Sequence, residues 1–288
     1  RNTLMGASAA LCDHALFLCR AELFLFDVYN ETDPVAQQVL LQRLAEQGAA
    51  LDELRAPEPV VQGAHYKGAA ELHRAMGNYG EFYRTGLMYL VFTPTTSSGM
   101  GWAIDLSLAA LLGDGIYNFG EILTNSVLSC LVGTDHAWLR TMLEVFNSGD
   151  VDRFHATVKE HAGTIRSQHP DLLEKLPELT AKVELLALTE LIFRRPAKDR
   201  TIPFADIARA TKKPIDEVET LVMRAMSVGL IKGVVDGVDQ VLEAQWVEPH
   251  VLDAPQIKTL STRLGEWAGR VQETLVFIEN QTPDMFKE

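Results

Sequence analysis

The sequence predicts a mainly α fold: a tetratricopeptide-like helical array over residues 1–195, a winged helix over 196–252 and a long terminal helix over 253–288. Three observations predict it. Twelve prolines punctuate the chain, yet none falls between residues 95 and 169, a gap that a run of short strands and turns would not show. Apolar residues recur at steps of three and four through most of the first 195 residues, the spacing of one helical face. Past residue 200 this period gives way to two short helices and a β-branched hairpin, then returns as one unbroken stripe.

In chain order, Leu4, Ala7, Leu11, Ala15, Cys19, Leu23 and Phe26 set one face of a first helix. Asp33-Pro34 starts a second. After Pro57 and Pro59, residues 60–76 and 79–92 read as a helical hairpin joined at Gly77-Asn78, residue types that tolerate the left-handed geometry ending a helix. Thr93 to Gly101 is a loop by composition. From Trp102 to about Arg195 there is room for about five helices, with breaks at Gly113–Gly115, Gly133, Ser148–Asp150 and His169-Pro170. Each helix pair leaves an apolar face for the next pair to cover, which is how solenoids grow, although no strict repeat period is present.

Beyond Arg195-Pro196, Phe204, Ile207 and Ala208 mark one short helix. Pro214 opens another, with Asp216 and Glu217 favourable in its first turn and Ile215, Val218, Leu221, Val222 and Ala225 as its buried face. Leu230 to Val235, an Asp236-Gly237 turn and Val241 to Trp246 form a hairpin pattern. Finally, Ile257, Leu260, Leu264, Trp267, Val271, Leu275 and Ile278 make a heptad-like seam. At roughly 1.5 to 3 kcal/mol per fully buried large side chain, that seam represents on the order of 10 to 20 kcal/mol of gross burial. It must be covered, by its own domain or by helices of other chains.

Charge and motif content narrow the function. The net charge is −13, from 26 Lys and Arg against 39 Asp and Glu, so affinity gained by releasing phosphate counterions is disfavoured. Residues 201–250 carry five basic against eight acidic side chains, and the helix that would enter a DNA groove presents Asp216, Glu217 and Glu219 with only Arg224 in opposition. Protein docking is therefore favoured over nucleic acid. Cys12 and Cys19 are expected as core thiols, and with Cys130 the three cysteines form no C-x-x-C pair. No H-E-x-x-H spacing occurs, and His155, Glu160 and His161 are expected on a solvated helical face. Neither a phosphate-binding glycine frame nor G-x-S-x-G is present, so no catalytic, cofactor or metal residue is assigned. Tyr79 to Tyr83 and Tyr117 to Gly120 are expected to pack helix junctions rather than to box a ligand. No run reaches the ~18 apolar residues of a bilayer span. Leu4 to Cys12 is too soon interrupted by Asp13 and His14 for a secretory signal, and the absence of an initiator Met implies a missing native start.

The order of helical array, acidic winged helix and terminal amphipathic helix resembles the PCI family, shared by scaffold subunits of the proteasome lid, the signalosome and translation initiation factor three. The strings 111–121 (LLGDGIYNFGE), 146–154 (FNSGDVDRF) and 216–233 (DEVETLVMRAMSVGLIKG), with Trp246-Val247-Glu248-Pro249 and Val251-Leu252-Asp253, are similar to the proteasome-lid branch. The likeness is strong from about residue 104 to 270 and weaker from 64 to 92. Pro214 departs from it, standing where the branch starts the helix with a hydroxyl residue.

The resemblance implies a non-catalytic scaffold without cofactors, found in a hetero-oligomer with other proteasome lid subunits in the cytoplasm and nucleus, away from nucleic acid and membrane. Neighbouring PCI winged helices would join side by side, here through Ile231, Val234, Val235, Val241 and Trp246. The helix from Ala254 to about Asn280 would enter a bundle through the seam from Ile257 to Ile278. The array would radiate towards the deubiquitinase module and the ubiquitin receptor subunit, and further helices of the array would precede Arg1. Two alternatives remain open: a PCI scaffold of the signalosome or the initiation factor, and a winged-helix transcription regulator with a helical ligand-sensing domain.

Overall fold

The computed structural model of the chain describes residues 2–30, 34–53, 58–93, 99–195, 200–248 and 254–281. Asp33, Pro57, Pro196 and Val251-Leu252-Asp253 lie outside these residues, and Leu4, Ala7, Leu11 and Cys12 outside the described side chains. Two units result, 1–249 and 250–288, and each is described by itself.

The array opens with α1 (Asn2–Asn30), α2 (Pro34–Glu53), α3 (Pro59–Ala75) and α4 (Tyr79–Phe92). The α3–α4 hairpin turns where expected: Gly77 takes φ +69° and the Asn78 carboxamide caps α4 by accepting from the Glu81 amide. α1 departs from expectation. Phe17, Ala21, Phe24, Leu25 and Val28 are its buried residues among the described side chains, whereas Ala15, Cys19, Leu23 and Phe26 are exposed. The helix is apolar on two sides, so the regular stripe did not identify the face that packs onto α2 and α3. Cys19 is accordingly a surface thiol rather than a core one, as is Cys130.

The array continues with α5 (Met100–Leu112), α6 (Gly120–Thr124), a 3-10 turn (Ser126–Leu131), α7 (Ala137–Ser148), α8 (Val151–Glu160), α9 (Ala162–Gln168), α10 (Pro170–Glu174) and α11 (Leu176–Arg194). The four expected breaks all fall between elements. Additional breaks arise at Asn125, which caps the 3-10 turn through the Val127 amide, at His161 and at Lys175 ahead of Pro177, which divides the stretch into more and shorter helices than expected. The tyrosine and phenylalanine clusters pack the core. Phe82, Tyr83 and Phe119 are buried, and the rings of Phe119, Phe146 and Phe154 follow one another at 5.2 and 5.5 Å.

α11 joins the array to the next layer of the chain by burying two faces. Leu179, Val183, Leu186 and Ala187 close the array core. Leu185, Leu188 and Ile192 close a second core with residues 202–247. A helix apolar around most of its circumference belongs between two packed layers.

The second core is a winged helix, made of β1 (Thr201–Pro203), α12 (Phe204–Thr211), α13 (Ile215–Val228), β2 (Ile231–Asp236) and β3 (Val241–Val247). The antiparallel sheet runs β1-β3-β2. Ile215 departs from its expected place on the buried face of α13: it is exposed, while Val218, Leu221, Val222 and Ala225 are buried. As the first residue of the helix it stands one turn before the core begins.

The second unit is α14 (Ala254–Gln281), a single helix.

Candidate docking surfaces

The hairpin turn is a loop at Gly237–Gln240, closed by the Asp236 carboxylate, which accepts from the Val238 and Asp239 amides at 2.9 and 3.0 Å, and by Gln240 in left-handed geometry at φ +53°. Between the strands, Lys232 pairs with Trp246 but Gly233 pairs with Ala244, so Gln245 is an extra residue on β3. This bulge lets Gln245 and Trp246 both point outward while Ala244 and Val247 stay buried. Gly233 permits it, since a Cβ there would run into the Glu243 carbonyl oxygen.

The five residues expected on a docking sheet separate accordingly. Trp246 and Val234 are exposed on the outer face, where the Lys232 ammonium lies 5.1 Å from the Trp246 ring centre. Val235 and Val241 are half-buried. Ile231 faces inward opposite Val247 and belongs to the core, so it supports the sheet from beneath. Strict alternation counted across the hairpin misses the bulge. It also misses Val238 at the loop tip, 93% exposed, whose only sequence signal is a β-branched residue next to the turn glycine.

The outward face of α13 carries Asp216, Glu217 and Glu219 with the exposed apolar residues Ile215 and Met223. The cations just before the helix are all paired, one of them with Glu217 itself. Lys213 donates to Glu217 at 2.9 Å and meets Glu184 at 3.3 Å, contacts that hold its ammonium above the usual lysine range; the Glu217 hydrogen bond is the largest cause. Lys212 pairs with Asp152 at 2.9 Å and Arg209 with Asp206 at 3.5 Å. What faces solvent on α13 is therefore chiefly acidic and apolar, with Arg224 its one exposed cation, a balance that suits a protein surface better than phosphates.

On α14, all seven seam residues are exposed, from 41% at Leu275 to 61% at Trp267. Side chains at such spacing share one helical face, so the seven form a continuous apolar stripe in solvent.

Inside the array, the Lys182 ammonium donates to the carbonyls of Ala110, Leu111 and Gly113 at 2.9, 3.2 and 3.0 Å and lies 5.2 Å from the Phe119 ring centre. Burial pushes its pKa down to about 7, against an opposing pull from Asp114. All three protons are used on the end of α5, so this group caps a helix and is not free for a ligand. His155 and Glu160 are exposed and His161 half-exposed. Among the described residues, no three His, Cys, Asp or Glu side chains group to hold a metal ion, and no helix is long and apolar enough to cross a membrane.

Comparison with known proteins bears on these surfaces. The family model for PSD13 N-terminal repeats matches residues 3–143 and that for the PCI domain matches residues 154–246. The 26S proteasome non-ATPase regulatory subunit 13 homolog A of Arabidopsis thaliana is 39% identical over 241 residues, 82% of this chain and 62% of the relative. The probable 26S proteasome regulatory subunit rpn9 of Schizosaccharomyces pombe is 37% identical over 240 residues, 82% of this chain and 61% of the relative. Eukaryotic translation initiation factor 3 subunit M of Chaetomium globosum is more distant, 27% identical over 154 residues, 54% of this chain and 35% of the relative. The chain spans about three fifths of the length of the proteasomal relatives it matches.

Proposed function

The chain belongs to the family of 26S proteasome non-ATPase regulatory subunit 13, and from that premise we propose that it acts as a non-catalytic scaffold of the proteasome regulatory particle lid in ubiquitin-dependent protein degradation. The observation that carries this reading is the seam of α14, seven large apolar side chains left in solvent on one helix. Burying them against partner helices offers gross stabilisation on the order of 10 kcal/mol, part of which offsets the cost of association.

In this reading the chain divides into an array at 1–195, a winged helix at 196–252 and a bundle helix at 253–288. The winged helix meets neighbouring PCI subunits through the outer sheet face, with Val234 and Trp246 at its centre and Val235 and Val241 at its margin, while Ile231 holds the strand in place. The bundle helix engages other lid subunits through Ile257, Leu260, Leu264, Trp267, Val271, Leu275 and Ile278. The array reaches towards the deubiquitinase module and the ubiquitin receptor, in cytoplasm and nucleus. The acidic face of α13 supports protein rather than nucleic-acid partners.

The test is assembly. A tagged chain carrying Leu264→Asp and Trp267→Ala should keep the wild-type melting profile yet fail to co-purify with proteasome regulatory particles. Normal co-purification of that variant would refute the scaffold role of the seam.

A further inference from the structure

α14 carries its charges unequally about the seam. Ile257, Leu264, Val271 and Ile278 recur every seven residues, and Arg263 and Arg270 each stand immediately before one of them. These arginines line one flank of the seam. The opposite flank carries Ser261 and Ala268 and is taken over by the seam itself at Leu275, four residues after Val271, with no charge at all. Flanking positions of this kind are where paired helices exchange ion pairs and thereby choose partner and orientation. Arg263 and Arg270 are exposed, and among the described residues neither has an ion-pair partner.

Self-pairing leaves these charges unanswered. In a parallel pair of two copies, each flank residue meets the residue five positions further along the other helix, so Arg263 faces Ala268 and Arg270 faces Leu275. In an antiparallel pair, arginine flank meets arginine flank. Neither arrangement offers a carboxylate, and the second places like charges together at a desolvated margin. The acidic residues of α14, Glu266, Glu273 and Glu279, fall at heptad positions outside both flanks of the seam.

We propose that α14 pairs with a helix of a different protein that has its own apolar seam and carries Asp or Glu along the flank opposite Arg263 and Arg270, and that these arginines discriminate against a second copy of this chain. The inference rests on the scaffold reading and adds the chemistry of the partner.

The test uses the whole chain and two synthetic 28-residue peptides with identical Ile/Leu seams, one with Glu and one with Lys at every flanking position, so that neither peptide pairs with itself. Fluorescence anisotropy at 50 mM salt should show the Glu peptide binding about tenfold more tightly than the Lys peptide, a gap that narrows at 0.5 M salt. Arg263→Glu with Arg270→Glu should invert the order. Equal binding, preference for the Lys peptide or binding of neither overturns the proposal. So does a dimer of the chain in sedimentation that Leu264→Asp dissolves. If the double arginine variant fails to discriminate between the peptides yet still co-purifies with regulatory particles, the charge rule falls and the scaffold reading stands. If the seam variant co-purifies normally while discrimination by the arginines is intact, the scaffold reading falls alone.

Discussion

Gly149 presses the α7–α8 turn directly onto the backbone of Ala187 in α11: a Cβ at Gly149 would sit 2.8 Å from both the Cα and the amide nitrogen of Ala187. The glycine also holds φ at +63° as the cap of α7, and Asp150 caps α8 by accepting from the Arg153 amide. One residue thus reverses the chain, ends a helix and admits α11, the helix on which the winged helix is built.

Gly149→Ala combines a left-handed penalty of about 1 kcal/mol with overpacking of about 1–3 kcal/mol against a backbone that cannot yield. Urea unfolding should show a loss of about 2–4 kcal/mol, while Ser148→Ala, one position away on the same turn, should lose less than about 1 kcal/mol.

Lys182 gives a pH dependence with a defined sign. Its folded pKa lies near 7, below the ordinary 10.5 that the unfolded chain restores. Between those values the unfolded state holds one proton more than the folded state, so this group makes stability rise with pH across the window. Below about 7 both states are protonated and its slope vanishes. Urea midpoints from pH 7 to 9.5 should climb more steeply in the wild type than in Lys182→Met, and parallel curves would contradict the assignment.

The two faces of the wing should answer mutation differently. Ile231→Ala hollows the core and should cost about 2–4 kcal/mol. Val234→Asp with Trp246→Ala should change stability by about 1 kcal/mol or less, chiefly the stacking of Lys232 on Trp246, yet weaken retention in regulatory particles. Thermal melts and co-purification of both variants check this separation.

Much of this was legible in the chain. The Gly77-Asn78 hairpin, the turn at Gly149, the β2–β3 hairpin and the α14 seam each carry a local signal, a period or a turn residue, that tertiary contacts did not override. The features that were hidden depended on distant partners. β1 is three residues ending in Pro203 and exists because β3 offers Leu242 and Val241 for pairing. Which apolar side of α1 is buried follows from the position of α3, not from the stripe of α1. The role of Lys182 depends on carbonyls about seventy residues earlier, and a lone lysine in an apolar helix gives no sign of them.

Centrally, the α14 seam should be open in the chain alone and covered by other proteins in the assembly. Hydrogen–deuterium exchange across 254–281, in the isolated monomer and in purified regulatory particles, measures this directly. The account predicts near-complete exchange of these amides within seconds in the monomer and strong protection in the particle. Protection already present in the monomer, or exchange equally fast in both, would contradict it.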